Sequence, residues 1–362
     1  MKYPISVEQT KQSRLAEVDF DNLIFGRVMS DHMFVADYID GEWTDCRILP
    51  YGPMPMSPAI MALHYGQAIF EGMKANKSAK TGEPILFRPE LHVERINRSA
   101  KRLAMPEIPA EIFLEGVHRL VDLDRDFIPQ SEGSALYLRP HMFATDAYLG
   151  VRASDTYRFV IMSCPVGPYY PKPVKIKVAE KYVRAFPGGV GFAKAAGNYA
   201  ATLAPALEAK EQGFDQILWL DGKEFKYLQE CGTMNIFVVI DGKVITPPTT
   251  DAILAGITRD SLIHLLKDKG FELEERNISI QEVIEAHEAG KLDEMFGSGT
   301  AAVISHISDF SYKGKNFELS PIEGRKVGPM AKKLIEDYKV GAVEDTFNWL
   351  LPVRSSKKEL SK

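Results

Sequence analysis

The sequence predicts a mixed fold of helices and strands, α/β in the broad sense (α+β), that is divided into two domains. The chain has 362 residues, of which 45% are hydrophobic, and this length exceeds what one ordinary core accommodates. Asp-Gly turns between strand-like runs predict antiparallel hairpins, and helical patterns lie between these hairpins. The segment PVGPYYPKPV, residues 165–174, has four prolines in ten residues. We therefore predict domains over residues 1–165 and 178–362, joined by an interdomain loop over 166–177.

The individual helices and strands follow from local patterns along the chain. Before the proline segment, FVADYIDGEWTDCRILP predicts a hairpin, PELHVERINRSAKRLAMP predicts a helix, and RFVIMS predicts a strand. The helix places Ile96, Ala100 and Leu103 on one apolar stripe. After the proline segment, KIKVAEKYV predicts a strand, and QILWLDGKEFKYL and FVVIDGKVITP predict two hairpins. Two further helices are predicted to close at glycines, YAATLAPALEAKEQG at Gly213 and ITRDSLIHLLKDKG at Gly270.

Composition argues against several classes of function. The net charge of -5 comes from 44 basic and 49 acidic residues scattered along the chain, so we expect no nucleic-acid partner. The opening residues lack the apolar core of a signal peptide, and apolar runs such as MNIFVVI are too short to cross a membrane, so we expect a cytoplasmic protein. Three widely spaced cysteines suit reduced thiols. Without an HExxH or paired CxxC pattern, we expect no metal.

One lysine lies in an unusual setting. In GGVGFAKAAGNYA, residues 188–200, Lys194 stands between glycines and alanines. If these small neighbours bury the side chain, the neutral amine is favoured, and a neutral amine can form a Schiff base. The alternative is a surface lysine on a flexible glycine loop, which is the commoner fate of a lysine. A phosphate-binding loop does not fit, because G-K-[ST] is missing.

An acidic residue next to an apolar run gives a second candidate. In YLQECGTMNIFVV, Glu230 precedes Gly232 and Thr233, which predict a turn before a buried strand. A carboxylate buried there costs free energy unless it is paired. Glu230 is therefore either an exposed turn residue or the partner of a protonated ring nitrogen.

Six motifs together resemble the branched-chain amino-acid aminotransferases, which are pyridoxal-phosphate enzymes of fold type IV. They are FEGMKA, FRPELHVERINRSAKRL, GGVGFAKAAGNYA, LQECGTMNIF, GITRDSLIHLL and FGSGTA, they follow the order of that family, and the resemblance as a whole runs from about residue 20 to residue 350. The resemblance implies a small N-terminal α/β domain and a larger C-terminal sheet or pseudo-barrel domain that carries Lys194, Glu230 and Thr300. It also implies pyridoxal 5'-phosphate between the two domains, and a homodimer.

The resemblance assigns the cofactor residues. Lys194 matches the Schiff-base lysine, Tyr199 the tyrosine that faces the phenolic oxygen, and Glu230 the acid that faces the pyridine nitrogen. These three form the expected catalytic set. The other expected cofactor residues are Arg95 and Thr300 at the phosphate, the amides of Ile257 and Thr258 at a helix start, and Arg184 near the lysine. Three of them also have an ordinary explanation: Arg95 as a solvated helix charge, Thr300 as a turn residue, and Thr258 as an N-cap, which does not compete with phosphate binding because the same geometry serves both.

The resemblance also implies a substrate pocket. Thr233 and Ala301 lie in two glycine turns that bind the amino-acid carboxylate through backbone groups, and Arg139 matches an arginine that receives a second carboxylate. The expected aromatic walls are Phe25, Tyr65, Phe70, Tyr137 and Tyr169. In an arbitrary protein such aromatics are more often core, and Arg139 is as readily a structural residue. One departure is that Ala302 and Ser305 replace a CxxC pair of mammalian members, so thiol switching of that kind is absent.

The implied reaction is reversible transfer of the amino group of leucine, isoleucine or valine to 2-oxoglutarate, which gives a branched 2-oxo acid and glutamate. Lys194 would move the proton from the substrate Cα as general base and acid. An aminodeoxychorismate lyase-like or other fold type IV enzyme is the alternative, although the FEGMKA and LYLRP matches argue against the lyase. A non-catalytic relative would lack Lys194 or Glu230, and both are present.

Overall fold

The computed structural model describes residues 2–169 and 172–355. These residues form two compact units, each of which is described here by itself. The first unit comprises residues 2–169, 193–197 and 337–355, and the second comprises 172–192 and 198–336. The first unit is therefore assembled from three separate stretches of the chain.

The described residues form strands and helices throughout both units. The strands are β1 (Ser6–Val7), β2 (His32–Ile39), β3 (Glu42–Pro50), β4 (Ala68–Phe70), β5 (Met73–Lys77), β6 (Pro84–Phe87), β7 (Ala135–Ala144), β8 (Tyr157–Val166), β9 (Val174–Val178), β10 (Gln216–Leu220), β11 (Leu228–Cys231), β12 (Met234–Ile240), β13 (Lys243–Thr246), β14 (Leu273–Glu275), β15 (Leu292–Gly299), β16 (Val303–Tyr312), β17 (Lys315–Glu318) and β18 (Leu350–Pro352). The helices are α1 (Met61–Tyr65), α2 (Pro89–Arg102), α3 (Ala110–Leu123), α4 (Ala196–Ala200), α5 (Leu203–Glu211), α6 (Ile257–Asp268), α7 (Ile280–Glu288) and α8 (Val327–Lys339).

The first unit is built on one sheet with the order β1-β3-β2-β8-β7-β5-β6-β18, and β4 pairs with β7. All of its described pairings are antiparallel except β1 with β3. One face of the sheet packs against α2 and α3 in a core that includes Leu136 and Leu138 of β7. Because successive side chains of a strand point to opposite faces, Tyr137 and Arg139 are directed to the other face. The sheet therefore presents these two predicted pocket residues on the side away from the helices.

The second unit contains a closed ring of six strands. The neighbours are β9, β10, β11, β12, β15 and β16, and β16 pairs back with β9. The β9 pairings are parallel and the others in the ring are antiparallel, while β13, β14 and β17 extend the sheet. Alternate side chains such as Ile176, Leu218 and Ile236 fill the core of this unit. The closed ring confirms the predicted pseudo-barrel within a mixed fold.

Two of the three predicted hairpins are confirmed in detail. β2 pairs with β3 around Asp40 and Gly41, whose φ values are 54° and 83°. β12 pairs with β13 around Asp241 and Gly242, whose φ values are 53° and 78°. Two positive φ angles are what a two-residue type I′ turn requires, and Asp-Gly supplies them readily.

The prediction of a tight turn in the remaining hairpin is wrong. β10 and β11 do pair antiparallel, but residues 221–227 connect them. The carboxylate of Asp221 accepts hydrogen bonds from four backbone N–H groups of this loop, those of Lys223, Glu224, Lys226 and Tyr227. An aspartate that binds its own downstream backbone favours a wider loop over a two-residue turn.

The helix and strand predictions hold with two corrections. α2, α6 and β8 lie where the sequence predicts them. The helix predicted from YAATLAPALEAKEQG is instead two short helices, α4 and α5, and Pro205 lies in the first turn of α5, the position where a helix tolerates proline. The predicted strand KIKVAEKYV is confirmed only for β9, which ends at Val178.

Within the described ranges, no helix has the length and apolarity needed to cross a membrane. The same residues contain no group of three or more His, Cys, Asp or Glu side chains arranged to hold a metal ion. Cys46, Cys164 and Cys231 are buried free thiols, as predicted.

Candidate active site

Lys194 is held by its backbone on both sides. Its N–H donates to the Oγ of Ser99 on α2 at 2.9 Å, and its carbonyl accepts from the N–H of Phe70 on β4 at 3.0 Å. Ala195 forms a bridge with Ile69. These contacts explain why residues 193–197 belong to the first unit, whereas the family resemblance implies a larger C-terminal domain that carries Lys194. The side chain is partly buried, and its Nζ lies 4.7 Å from the ring centre of Phe70.

A buried carboxylate orients Arg95. Glu71 is fully buried and accepts a bidentate pair of hydrogen bonds from Arg95, with Nε–Oε1 at 2.6 Å and Nη2–Oε2 at 2.7 Å. His92, one turn before Arg95 on α2, lies with its Nδ1 2.6 Å from Oε2 of Glu71. Arg95 is therefore not a solvated helix charge. The sequence reasoning missed Glu71, although an acid inside the apolar run AIFEGM was a signal, because such an acid needs a partner.

The protonation of this cluster follows from its surroundings. Burial alone would raise the pKa of Glu71, but the Arg95 guanidinium and His92 hold that pKa well below its usual range. Burial lowers the pKa of His92, against the opposing effect of Glu71. The stable arrangement is thus an anionic Glu71, a cationic Arg95 and a neutral His92 that donates its Nδ1–H.

The structure brings most of the predicted pocket residues together around Arg139. Its guanidinium lies 4.7 Å from the ring centre of Phe70 and 5.4 Å from that of Tyr137, and Nη2 donates to the Tyr137 hydroxyl at 3.0 Å. Phe25 lies edge-on to Tyr137 at 4.9 Å and to Tyr169 at 5.2 Å. Since Phe70 also contacts Lys194, these residues form one continuous set. The Nε of Arg139 is buried without a hydrogen-bond partner among the described residues.

Gly72 makes room for the Tyr137 hydroxyl. A Cβ added at Gly72 would lie 2.0 Å from Oη of Tyr137, which is far inside contact distance. Each residue of the FEG sequence therefore has a separate role, since Phe70 contacts Lys194 and Arg139, Glu71 holds Arg95, and Gly72 admits Tyr137.

Tyr65 is the one predicted aromatic residue whose described contacts lie elsewhere. It ends α1 and is 44% exposed, its hydroxyl donates to the carbonyl of Leu149, and its ring lies 4.3 Å from that of His64. The part of the chain that the structure describes does not join Tyr65 to the set around Arg139.

In the second unit, Glu230 is a buried carboxylate with both oxygens engaged. Oε1 accepts from the N–H of Leu254 at 2.6 Å, and Oε2 lies 2.9 Å from Nε of Arg184. Arg184 also donates to the carbonyls of Ala252 and Gly191. A cation and an N–H donor both favour the ionised carboxylate. Glu230 is thus not an exposed turn residue, and Arg184, which we grouped with the cofactor residues, contacts Glu230 directly.

The loop that leads into α6 is held by Asn235 and, through Leu254, by Glu230. Ile257 is the first residue of α6, and Gly256 before it makes no side-chain cap. Asn235 on β12 donates from Nδ2 to the Leu254 carbonyl at 2.9 Å, and a Cβ at Gly256 would lie 2.0 Å from its Oδ1. Asn235 therefore holds the loop that runs from Leu254, the residue that donates to Glu230, to the start of α6. The sequence analysis does not identify Asn235. The amides of Ile257 and Thr258 lie at a helix N-terminus, where the helix dipole favours an anion.

The two predicted glycine turns lie side by side at one end of the barrel. Thr233 is in the turn between β11 and β12, and Thr300 and Ala301 are in the turn between β15 and β16. The register pairs Asn235 with Ser298, which places the turns next to each other. Tyr199 lies on α4 and is partly buried, and its carbonyl accepts from Thr202.

The chain is similar to aminotransferases both in sequence and in structure. Residues 68–309 match the family model described as amino-transferase class IV. A "Probable branched-chain-amino-acid aminotransferase" of Staphylococcus epidermidis is 47% identical over 353 residues, which cover 95% of this chain and 97% of that protein. The "Branched-chain-amino-acid aminotransferase 2" of Bacillus subtilis is 48% identical over 359 residues, which cover 97% and 98%. Among solved structures, the T.th. branched-chain amino acid aminotransferase complexed with N-(5'-phosphopyridoxyl)-L-glutamate has a TM-score of 0.70 at 27% identity, with 88% and 98% covered.

Proposed function

This chain belongs to the class IV aminotransferase family, and from that premise we propose that it transfers the amino group of leucine, isoleucine or valine reversibly to 2-oxoglutarate. The products are a branched 2-oxo acid and glutamate. The observation that carries this proposal is identity of 47% and 48% to branched-chain aminotransferases over nearly the whole chain.

We propose pyridoxal 5'-phosphate as the cofactor, because the buried donors have the chemistry that it needs. When bound, it supplies an aldehyde carbon that takes up the amino group and a ring that delocalises the electrons released at the substrate Cα. Lys194 offers the amine that would hold the aldehyde. Arg95 and the amides of Ile257 and Thr258 would bind the phosphate, with Thr300 adding a hydroxyl.

Glu230 would keep a proton on the ring nitrogen. Its two oxygens face Arg184 and the Leu254 N–H, so the carboxylate is held ionised and in one orientation. An ionised carboxylate opposite a ring nitrogen favours the protonated nitrogen. Arg184 thus acts on the cofactor through Glu230, and Tyr199 is proposed to face the phenolic oxygen.

Lys194 would move the proton between the substrate Cα and the carbon that receives the amino group. Its backbone is held by Ser99 and Phe70, so any movement of the amine between these two atoms would come from rotation of the side chain alone. A lysine that serves as base and then as acid needs only this short travel.

Substrate selection is proposed to reside in the aromatic set and Arg139. Phe25, Phe70, Tyr137 and Tyr169 would bury the methyl groups of an aliphatic side chain, at about 0.8 kcal/mol for each methylene-sized group, and Tyr65 is proposed as a further wall. Arg139, steadied by the Tyr137 hydroxyl, would pair with the distal carboxylate of glutamate. Thr233 and Ala301, in adjacent turns, would bind the carboxylate next to Cα.

The decisive experiment measures amino transfer from leucine to 2-oxoglutarate by the purified protein with added pyridoxal 5'-phosphate. We expect glutamate and 4-methyl-2-oxopentanoate in equal amounts, and none from Lys194→Ala. Borohydride reduction followed by peptide mass mapping should place the pyridoxyl group on Lys194. Absence of transfer with all three branched substrates, or labelling of another lysine, would refute the proposal. Release of pyruvate from aminodeoxychorismate would instead support the lyase-like alternative.

We propose a homodimer, which sedimentation equilibrium would report as twice the mass of the chain. We also propose a cytoplasmic location, which fractionation of the source cells would test.

A further inference from the structure

We propose that Glu71 is a positioning residue: it orients the Arg95 guanidinium and thereby sets how strongly the protein prefers the phosphorylated cofactor to its unphosphorylated form. The inference rests on the proposed function, in which Arg95 binds the phosphate. Glu71 does not contact the phosphate in this proposal, and it acts only through Arg95.

The geometry of the Glu71–Arg95 pair carries the first step. The carboxylate binds the Nε and Nη2 edge of the guanidinium, at 2.6 and 2.7 Å. A bidentate contact of this kind fixes the plane of the guanidinium as well as its position. With that plane fixed, the direction of Nη1 is also fixed, and Nη1 is the nitrogen on the side away from Glu71.

Glu71 is itself held by several contacts. It is fully buried, its backbone N–H donates to the Pro140 carbonyl at 2.7 Å, and the Gly72 N–H lies 3.2 Å from its Oε2. His92 donates to the same oxygen. The orientation of Arg95 is therefore fixed relative to the connection between β4 and β5. Phe70, next to Glu71 in the chain, donates its N–H to the carbonyl of Lys194.

Two effects of Glu71 on phosphate binding oppose each other. Its negative charge weakens the attraction between Arg95 and a phosphate, whereas its alignment of Arg95 strengthens binding. We infer that alignment dominates, because a buried guanidinium without its carboxylate is an uncompensated charge that turns toward any other acceptor. The two effects predict opposite signs for the same substitution, which makes the proposal decidable.

The test measures the dissociation constants of pyridoxal 5'-phosphate and of pyridoxal for the apoprotein, by quenching of intrinsic fluorescence. The ratio of the two constants is the preference for phosphate. For Glu71→Gln we expect this preference to fall by about tenfold or more, while the pyridoxal constant changes by less than about threefold. Glu71→Asp keeps the charge but shortens the side chain, so we expect its preference to fall as well.

Matched controls separate positioning from general destabilisation. Asp124 is another buried carboxylate of the first unit, and its Oδ1 lies 2.5 Å from Nδ1 of His32. Asp124→Asn should lower the unfolding temperature but leave the phosphate preference unchanged. In an Arg95→Met background, where the contribution of Arg95 to the preference is already removed, adding Glu71→Gln should change the remaining preference by less than about twofold.

Clear outcomes would overturn the inference. An increased preference in Glu71→Gln would show that charge dominates over alignment, and an unchanged preference would show that alignment does not dominate, so either result would overturn the inference. Equal weakening of both forms of the cofactor would assign Glu71 to the scaffold. If Glu71→Gln does not fold, Glu71→Asp decides by the same criterion. Failure of the wild-type protein to bind pyridoxal 5'-phosphate would refute the proposed function instead.

Discussion

Replacing Arg184 with methionine would leave Glu230 as a buried carboxylate without its cation. At 2.9 Å and an effective dielectric constant of about 20, two unit charges attract each other by about 6 kcal/mol. Desolvation of both ions offsets part of this attraction. Removing one partner of such a pair costs about 3–5 kcal/mol of unfolding free energy, because the remaining charge stays buried. We expect Arg184→Met to show a loss of this size.

A double-mutant cycle with Arg184→Met and Glu230→Gln tests this expectation by urea denaturation. The double variant contains neither charge, so it should lose less stability than the two single variants added together. We expect a coupling energy of about 2–3 kcal/mol. The control cycle uses Arg259→Met and Glu275→Gln, a pair at 2.8 Å in which Glu275 is 40% exposed. Because solvent screens the control pair, its coupling should stay below about 1 kcal/mol.

The same variants separate the effect on chemistry from the effect on stability. In the half-reaction with leucine, Arg184→Met should slow proton transfer as Glu230→Gln does, and the double variant should be no slower than Glu230→Gln alone. A coupling energy no larger than that of the control pair would refute the assignment of Arg184 as the partner of Glu230. So would a half-reaction in Arg184→Met that is as fast as in the wild type.

Three other predictions concern the pocket and the dependence of stability on pH. Arg139→Met should lower kcat/KM for glutamate by more than about tenfold relative to leucine in separate half-reactions, and equal losses would assign Arg139 to the scaffold. Gly72→Ala should displace the Tyr137 hydroxyl and lower both stability and kcat/KM for leucine. The control Gly52→Ala, with no atom within 4 Å of the added Cβ, should change neither quantity. Equal losses of stability and of kcat/KM in the two variants would contradict the steric argument. Burial lowers the pKa of His306 from 6.5 to about 4. Between pH 6.5 and pH 4 the unfolded chain therefore binds a proton at His306 that the folded protein does not, so stability falls as the pH falls through this interval. His306→Gln should reduce this fall in stability, and an unchanged dependence of stability on pH would contradict the prediction.

The parts of the fold that the sequence predicts are the local ones. Asp40-Gly41 and Asp241-Gly242 form hairpin turns because two neighbouring residues suffice to supply both positive φ angles. The loop after β10 differs because the side chain of Asp221 binds the backbone as far as Tyr227. The Asp-Gly dipeptide alone does not reveal these contacts with later residues, and so the tight turn predicted there is wrong.

In the site, too, local sequence patterns identify candidate residues but do not identify the distant residues that contact them. Family motifs single out Lys194 and Glu230 as candidates, but the partners that orient such groups lie far away in the chain. Ser99 is separated from Lys194 by 95 residues, and Glu71 from Arg95 by 24. Contacts of this kind arise only when the sheet and helices have packed. The sequence therefore predicts candidate groups more readily than their orientation, and the place of Lys194 in the first unit could not be anticipated.

The double anchoring of Lys194 has a consequence for how fast its amine can be reused. With its N–H bound to Ser99 and its carbonyl bound to Phe70, the backbone of Lys194 is a fixed pivot. Only the torsions of the side chain then have to change, and in exposed residues such torsions relax within picoseconds to nanoseconds. Turnover numbers of enzymes are commonly about 1–1000 per second. In the proposed reaction, the rotation that returns the lysine side chain to its starting position is therefore expected to be faster than turnover, so that this movement adds no delay.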